Sequence, residues 1–128
     1  MTTVSDSPLT PELALAFLGE LSTDIRAAVV LADGGAPAAR SGFDDAGEDA
    51  VHELVGELFE RAAATAAEGE AAPAQLEVAL PDGSVYAVRE HGWTIVVVAG
   101  RFALSSLMFF DLRMVIRDLA GLGEGATA

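Results

Sequence analysis

Hydrophobic and polar positions follow two periods along this chain. Residues 75–80 alternate, with Leu76, Val78 and Leu80 on one face, which predicts a strand with one covered face. Residues 93–99 are apolar at nearly every position, which predicts a strand covered on both faces. Between Glu48 and Ala67 the apolar residues recur every three to four positions, which predicts an amphipathic helix. Its apolar stripe comprises Val51, Leu54, Val55, Leu58, Phe59, Ala62 and Ala66.

Turn and cap residues separate these patterns. Residues 10–12, Thr-Pro-Glu, combine a capping side chain, a proline suited to the first helical position and an acid at the positive end of the helix dipole. Residues 33–35, 81–83 and 91–92 contain the Asp, Gly and Pro residues of tight turns. These turns are short enough to join antiparallel strands.

The patterns together predict eight elements in the order α-β-β-α-β-β-β-α. A strand covered on both faces needs helices on both sides of its sheet, so we expect an α/β/α sandwich around a five-stranded antiparallel sheet. The last helix is expected to bury Leu104, Met108, Leu112, Val115 and Leu119. Residues 1–9 and 121–128 are expected to be flexible tails of one domain, residues 10–120. The predicted elements are Pro11–Ser22, Ala27–Ala32, Ala36–Ser41, Glu48–Ala67, Gln75–Leu80, Ser84–Glu90, Trp93–Ala99 and Phe102–Ala120.

Composition narrows the possible partners. The chain has 128 residues, a net charge of −13 and seven basic residues, and every one of the seven is Arg. Such acidity argues against unaided binding to nucleic acid or to anionic lipid. The sequence contains no Cys, no apolar run long enough to span a bilayer and no pattern of a signal peptide at its start. We therefore expect a cytoplasmic protein without a nucleic acid partner and without membrane insertion.

No motif in the sequence demands catalysis. A Gly-x-Ser-x-Gly elbow is absent, and the lack of Lys excludes a Walker-type phosphate loop. His52 and Glu48 lie one helical turn apart and could share a metal with a third ligand, but a solvated His beside an acid is the favoured interpretation. We therefore predict no catalytic residue, no cofactor and no metal, and expect that the protein is not an enzyme.

Three segments carry a resemblance to a known family. They are LAFLGELSTDIRAAVVLADGG from Leu15, QLEVALPDGSVYAVREHGWTIVVV from Gln75 and GRFALSSLMFFDLRMVIRDL from Gly100. In their order and spacing they resemble the first helix and strand, the three-strand meander and the closing helix of the Roadblock/LC7 family. The resemblance covers nearly all of residues 10–120. It implies a profilin-like fold, a dimer formed through the third strand and second helix, and a role as a regulator of Ras-like small GTPases.

One side of the second predicted helix suggests an interface. A Gly within a helix costs about 1 kcal/mol relative to Ala, and small residues let another backbone approach closely. The alternative is that Gly56 packs on the protein's own sheet. With the third strand that the resemblance implies, the candidate dimer interface is His52, Gly56, Phe59, Ala63, Leu76 and Val78.

The outer face of the last predicted helix is a second candidate surface. Phe110, Arg113, Met114 and Arg117 fall there together with Ser106, and an aromatic, a Met and two Arg are typical of interface cores. The alternative is that the first helix covers Phe110 and Met114. Residues 44–70 hold nine acids and one base, which is either a surface for a basic partner or a solvated helix face.

Two functional hypotheses follow. In the first, the protein is a homodimer that binds a Ras-like small GTPase and biases its nucleotide state without catalytic residues of its own. In the alternative, it is a small-ligand sensory module of the profilin-like or PAS-like plan. A sensory module needs an apolar cavity with a few polar anchors, and the predicted strands offer few such anchors.

Overall fold

The computed structural model describes residues 9–32, 36–65 and 74–122, and it contains all eight predicted elements in the predicted order. The expected tails at 1–8 and 123–128 and the turn at 33–35 lie outside the described residues. The elements are α1 (Pro11–Leu21), β1 (Ile25–Leu31), β2 (Pro37–Ser41), α2 (Asp45–Thr65), β3 (Gln75–Leu80), β4 (Gly83–Glu90), β5 (Trp93–Gly100) and α3 (Ser105–Leu119).

The five strands form one antiparallel sheet in the order β2-β1-β5-β4-β3. β5 is the central strand, and six of its eight residues are buried, as the continuous apolar run predicted. β2 and β3 are the two edges. The predicted fold class, an α/β protein with this sheet and element order, is confirmed.

Each face of the sheet has its own hydrophobic core. α1 and α3 pack together over one face, and α2 covers the other. Because successive strand residues point to opposite faces, neighbours such as Val29 and Val30 belong to different cores. The larger core includes Leu18, Val30, Tyr86, Val88, Ile95, Val97, Leu112, Val115 and Ile116, and the smaller includes Val29, Leu31, Val55, Phe59, Val85, Ala87 and Val96.

Side-chain caps and turns position the helices and hairpins. The Thr10 hydroxyl accepts a hydrogen bond from the Leu13 amide at 3.2 Å, so α1 starts as the sequence predicts. Asp44 accepts from the Gly47 amide at 2.7 Å, and this cap starts α2 three residues before the predicted Glu48. In the turn between β4 and β5, His91 has a φ of 53°, the left-handed conformation that such hairpins require.

The predicted start of the last helix is wrong. α3 begins at Ser105 rather than Phe102, because residues 101–102 form a turn after the central strand. Leu104 is therefore the N-cap residue with extended backbone angles, and its side chain is 67% exposed. The other four residues of the predicted buried stripe, Met108, Leu112, Val115 and Leu119, are buried.

Candidate interaction surfaces

The two edges of the sheet differ in how they are protected. β2 contains Pro37, has a register shift against β1 and is covered by α1, which are ordinary ways of blocking further strand pairing. β3 pairs with β4 in regular register over all six residues and contains no Pro. In the described part of the chain, no strand pairs with its outer side. β3 is thus the edge at which another strand can add to the sheet.

The two faces of β3 carry different side chains. Leu76 and Val78 face the α2 core but are only half-buried, since the sheet ends beside them. On the opposite face, Glu77 accepts a hydrogen bond from the Ser105 hydroxyl at 3.0 Å, and Gln75 accepts one from the Arg113 Nε atom at 3.1 Å. The α3 side of β3 is therefore held by polar bonds, whereas its α2 side has incompletely covered apolar groups.

The four candidate interface residues of α2 lie in different environments. Phe59 is 4% exposed and belongs to the core beneath α2, whereas Ala63 is exposed and His52 is half-buried. Among the described residues, a Cβ atom added at Gly56 would meet no atom within 4 Å outside its own helix. The alternative that Gly56 packs on the protein's own sheet is therefore wrong, and its side of α2 is open to a close approach.

Phe59 also connects α2 to the sheet by a cation–π contact with Arg89 of β4. The Arg89 guanidinium lies over the Phe59 ring, 4.4 Å from its centroid, and its Nε atom donates to the buried Thr94 hydroxyl at 3.1 Å. Val55 and Phe59 are the two fully buried residues of the described helix. The attachment of α2 therefore depends on very few side chains. Leu54, which the sequence assigned to the buried stripe, is 46% exposed.

The outer face of α3 brings together the predicted partner-binding residues. Phe110 is 63% exposed, so the alternative that α1 covers it is wrong, while Met114 is half-buried. The Arg113 Nη1 atom donates to Glu90 at 3.1 Å, and its other nitrogens bond Gln75. The Arg117 Nη2 atom donates to the Leu122 carbonyl oxygen at 3.1 Å. These contacts hold both guanidinium groups on the same helix as the exposed Phe110.

Arg101 differs from the other six arginines. Each of those six donates to a carboxylate, a hydroxyl, an amide oxygen or a carbonyl oxygen of the chain. Within 9–32, 36–65 and 74–122, no such acceptor bonds Arg101, whose guanidinium lies 5.2 Å from the centroid of the neighbouring Phe102 ring. Phe102 is 78% exposed. The sequence pattern placed Phe102 inside a helix and therefore did not reveal this exposed pair.

Two ionisable groups of the described residues have shifted pKa values. The hydrogen bond that Arg40 donates to Asp45 raises the pKa of Arg40, whose Nη1 atom lies 2.6 Å from Asp45 and 3.0 Å from Glu48. Burial raises the pKa of the Asp111 carboxyl on α3, which is 8% exposed. Arg40 therefore ties β2 to the first turn of α2, and Asp111 carries a desolvation cost when charged.

The described residues contain no arrangement suited to metal chemistry. Across these ranges, no three His, Asp or Glu side chains come together as a metal site. Glu48, which lies one helical turn before His52, is instead paired with Arg40.

An open groove lies between α1 and β2, lined by Glu12, Leu15, Ala16, Ala39, Arg40 and Ser41. In the same ranges, no helix has the length and apolar character needed to cross a membrane.

The sheet order and the placement of its helices define a profilin-like α/β domain with one open sheet edge. The chain has the fold of Roadblock/LC7 domains. A Roadblock/LC7 domain from Streptomyces avermitilis has a TM-score of 0.70 at 19% identity, covering 80% of this chain and 88% of that one. The gliding protein MglB from Thermus thermophilus has a TM-score of 0.69 at 20% identity, covering 89% and 90%. MglB from Myxococcus xanthus has a TM-score of 0.68 at 11% identity, covering 93% and 94%. No protein-family model and no curated protein matches the sequence.

Proposed function

We propose that this protein is a non-catalytic homodimer that binds a Ras-like small GTPase and biases its nucleotide state. The observation that carries the proposal is the open edge of β3, with Leu76 and Val78 half-buried beside it. The Roadblock/LC7 resemblance implies pairing through this strand and α2. Pairing the β3 strands of two copies would cover Leu76 and Val78 in each copy. It would also provide hydrogen-bond partners for the backbone groups of the outer edge.

The symmetry of this pairing fixes the arrangement of the helices. Two antiparallel strands that meet edge to edge are related by a two-fold axis perpendicular to the sheet. Both α2 helices then lie on one face of a continuous sheet, and both α3 helices lie on the other. The open space beside Gly56 supports a close approach of a second α2. His52 and Ala63 flank that space, and Phe59 supports it from within the core.

A charge placed on the β3 edge tests the dimer. Val78→Glu would bring two carboxylates close to the two-fold seam, so we expect a monomer by light scattering at concentrations where the unmodified chain is a dimer. Ser41→Glu on β2 is the matched control, since it adds the same charge to the other edge strand. Circular dichroism would verify that both variants fold. An undiminished Val78→Glu dimer contradicts the pairing through β3.

The outer face of α3 is the proposed GTPase surface. Phe110 and Met114 offer apolar area, and Arg113 and Arg117 beside them suit the acidic groups of a partner. A regulator that binds one nucleotide state better than the other shifts the equilibrium by that difference alone. A tenfold preference corresponds to about 1.4 kcal/mol. Such a role needs no catalytic residue.

A nucleotide-dependent pull-down tests the partner. The tagged protein is incubated with native lysate containing GDP or a non-hydrolysable GTP analogue, and bound proteins are identified by mass spectrometry. We expect a Ras-like GTPase in one nucleotide state and its loss with Phe110→Asp. Leu13→Asp on α1 is the matched control, because Leu13 is 57% exposed against 63% for Phe110. If neither state retains a GTPase, the similarity to Roadblock/LC7 domains is one of fold only.

A further inference from the structure

The hydrogen bonds between β3 and β4 determine which backbone groups of β3 face outward. The Arg89 amide donates to the Ala74 carbonyl oxygen at 2.8 Å, and this pair continues the regular register of the two strands. In an antiparallel pair, such hydrogen-bonded positions alternate with positions whose backbone groups point the other way. The N–H and C=O groups of Gln75, Glu77 and Ala79 therefore lie on the open edge of the sheet.

This alternation limits how a second copy of β3 can pair with the first. Residues that face each other in an antiparallel pair either both point their backbone groups at the partner strand or both point them away. An odd-numbered residue of β3 must therefore face an odd-numbered residue of the second copy. Two registers meet this condition and pair five of the six residues. One places Glu77 opposite itself on the two-fold axis, and the other places Val78 there.

The register with Glu77 on the axis is unfavourable for two reasons. Two carboxylates would face each other directly, and like charges at opposite positions destabilise a pair of strands. The Ser105 and Ser84 hydroxyls donate to the Glu77 carboxylate at 3.0 Å and 3.5 Å, so that this group is held in place beside the seam. The same register leaves Leu80, which is 40% exposed, beyond the end of the partner strand.

Both difficulties disappear when Val78 lies on the axis. Glu77 then faces Ala79 of the second copy, and Leu76 faces Leu80. All three apolar side chains on the α2 face of β3 are thus paired across the seam. We propose that two copies of the chain pair in this register and that Glu77 selects it, an inference that rests on the proposed β3 dimer.

The register also defines which strands fit this edge of the sheet. A fitting strand has apolar side chains at three alternate positions and no acidic side chain opposite Glu77. The chain's own β3 meets both requirements when Val78 lies on the axis. Glu77 is therefore a specificity-determining residue, because its charge disfavours both the shifted pairing of β3 with itself and any strand with an acid at the facing position.

Disulfide formation measures the register. The chain has no Cys, so a single thiol can be placed on β3 without competition. Residues that face each other at a non-hydrogen-bonded position have Cα atoms about 4.5 Å apart, which is within the range that a disulfide spans. Under mild oxidation, Val78→Cys should form a covalent dimer at least tenfold faster than Leu76→Cys, because the two copies of residue 76 do not face each other. Non-reducing electrophoresis measures both rates.

The outcomes separate the register from the dimer itself. In an equal mixture of Leu76→Cys and Val78→Cys chains, a predominant mixed disulfide would show that Glu77 lies on the axis. That result overturns the proposed register and leaves the β3 dimer intact. If the unmodified chain is a dimer by light scattering but no thiol on β3 forms a bridge, the register is wrong and another surface forms the dimer. If the unmodified chain is a monomer throughout, the proposed dimer fails first. Circular dichroism would verify that the variants fold.

A charge placed opposite Glu77 tests whether this residue selects the register. Ala79 is exposed, and each dimer would contain its pair with Glu77 twice. Analytical ultracentrifugation should show that Ala79→Arg lowers the dissociation constant of the dimer about 2- to 30-fold and that Ala79→Glu raises it by a similar factor. Glu77→Gln, which keeps an acceptor for Ser105, should remove most of both effects. Effects of the same size without the Glu77 carboxylate would mean that residue 79 does not face Glu77.

Discussion

Removing the Phe59 side chain tests how α2 is attached to the sheet. Phe59 is 4% exposed and is one of two fully buried residues on the described α2. Truncating a buried Phe to Ala costs about 3–5 kcal/mol. The Arg89 guanidinium, 4.4 Å from the ring centroid, adds a cation–π contribution of about 0.5–2 kcal/mol that the truncation also removes. We therefore expect Phe59→Ala to fall in the upper half of that range.

Urea unfolding measures this loss. Fluorescence of the single Trp, Trp93 at the start of β5, reports the sheet, and far-ultraviolet circular dichroism reports the helices. Leu54→Ala is the matched control, because Leu54 lies on the same helix but is 46% exposed, and it should cost less than about 1 kcal/mol. In a double-mutant cycle, Arg89→Met should couple with Phe59→Ala by about 0.5–1 kcal/mol.

The dependence of this stability loss on protein concentration shows whether Phe59 acts within one chain or between subunits. If Phe59 stabilises α2 within one chain, Phe59→Ala lowers the free energy of unfolding by the same amount at low and high protein concentration. If its ring instead lies between subunits, its loss lowers association and the cost grows as the dimer is diluted. A cost below about 1 kcal/mol would refute the anchoring of α2 by this residue. A loss of stability that depends strongly on protein concentration would indicate that Phe59 lies at the subunit interface.

Four further substitutions have expected outcomes. Burial raises the pKa of Asp111, so the folded state binds its proton more tightly than the unfolded state, and this residue's contribution to stability falls as pH rises through that raised pKa. Asp111→Asn should therefore raise the melting temperature at neutral pH but not in acid. His91→Asn should gain up to about 1 kcal/mol in urea unfolding, because Asn tolerates the positive φ better. Gly83→Ala should cost over about 2 kcal/mol by the same assay, since its Cβ would collide with the Ala99 carbonyl oxygen. In a dilute, monomeric chain Gly56→Ala should gain about 0.5–1 kcal/mol, whereas close contact with a second α2 in the dimer should turn this gain into a loss.

The central strands could be predicted because their patterns record which faces are covered. The unbroken apolar run of β5 requires cover on both sides, and only the middle of a sandwich provides it. The alternation in β3 correctly placed Leu76 and Val78 on one face. Periodicity reports which residues share a face, however, and does not report how completely that face is covered. The sequence therefore revealed the face of Leu76 and Val78 without revealing that they are only half-buried.

The exposed apolar residues around the start of α3 show where sequence reasoning failed. Helical periodicity extends naturally back to Phe102, but two residues of turn after the central strand displace the start of α3 to Ser105. That shift removes Leu104 from the buried stripe and leaves it extended and exposed. The exposure of Phe110 depends equally on where α1 lies, which is a tertiary fact. Local pattern could locate the buried residues of α3 but not the apolar residues that remain outside.

The two faces of the sheet suit two kinds of contact. Residues 44–65, with seven acids and one base, make the α2 side strongly acidic, whereas α3 presents the exposed Phe110 together with Arg113 and Arg117. A β3-paired dimer would place both α3 helices on the same face, so a partner large enough to reach both would meet two apolar and basic surfaces at once. The partner would then bind the dimer more tightly than a single chain, because the second contact becomes intramolecular once the first has formed. A monomeric Val78→Glu variant should therefore bind such a partner at least tenfold more weakly, even though the α3 surface itself is unchanged. Equal affinity for monomer and dimer would mean that one α3 surface is sufficient.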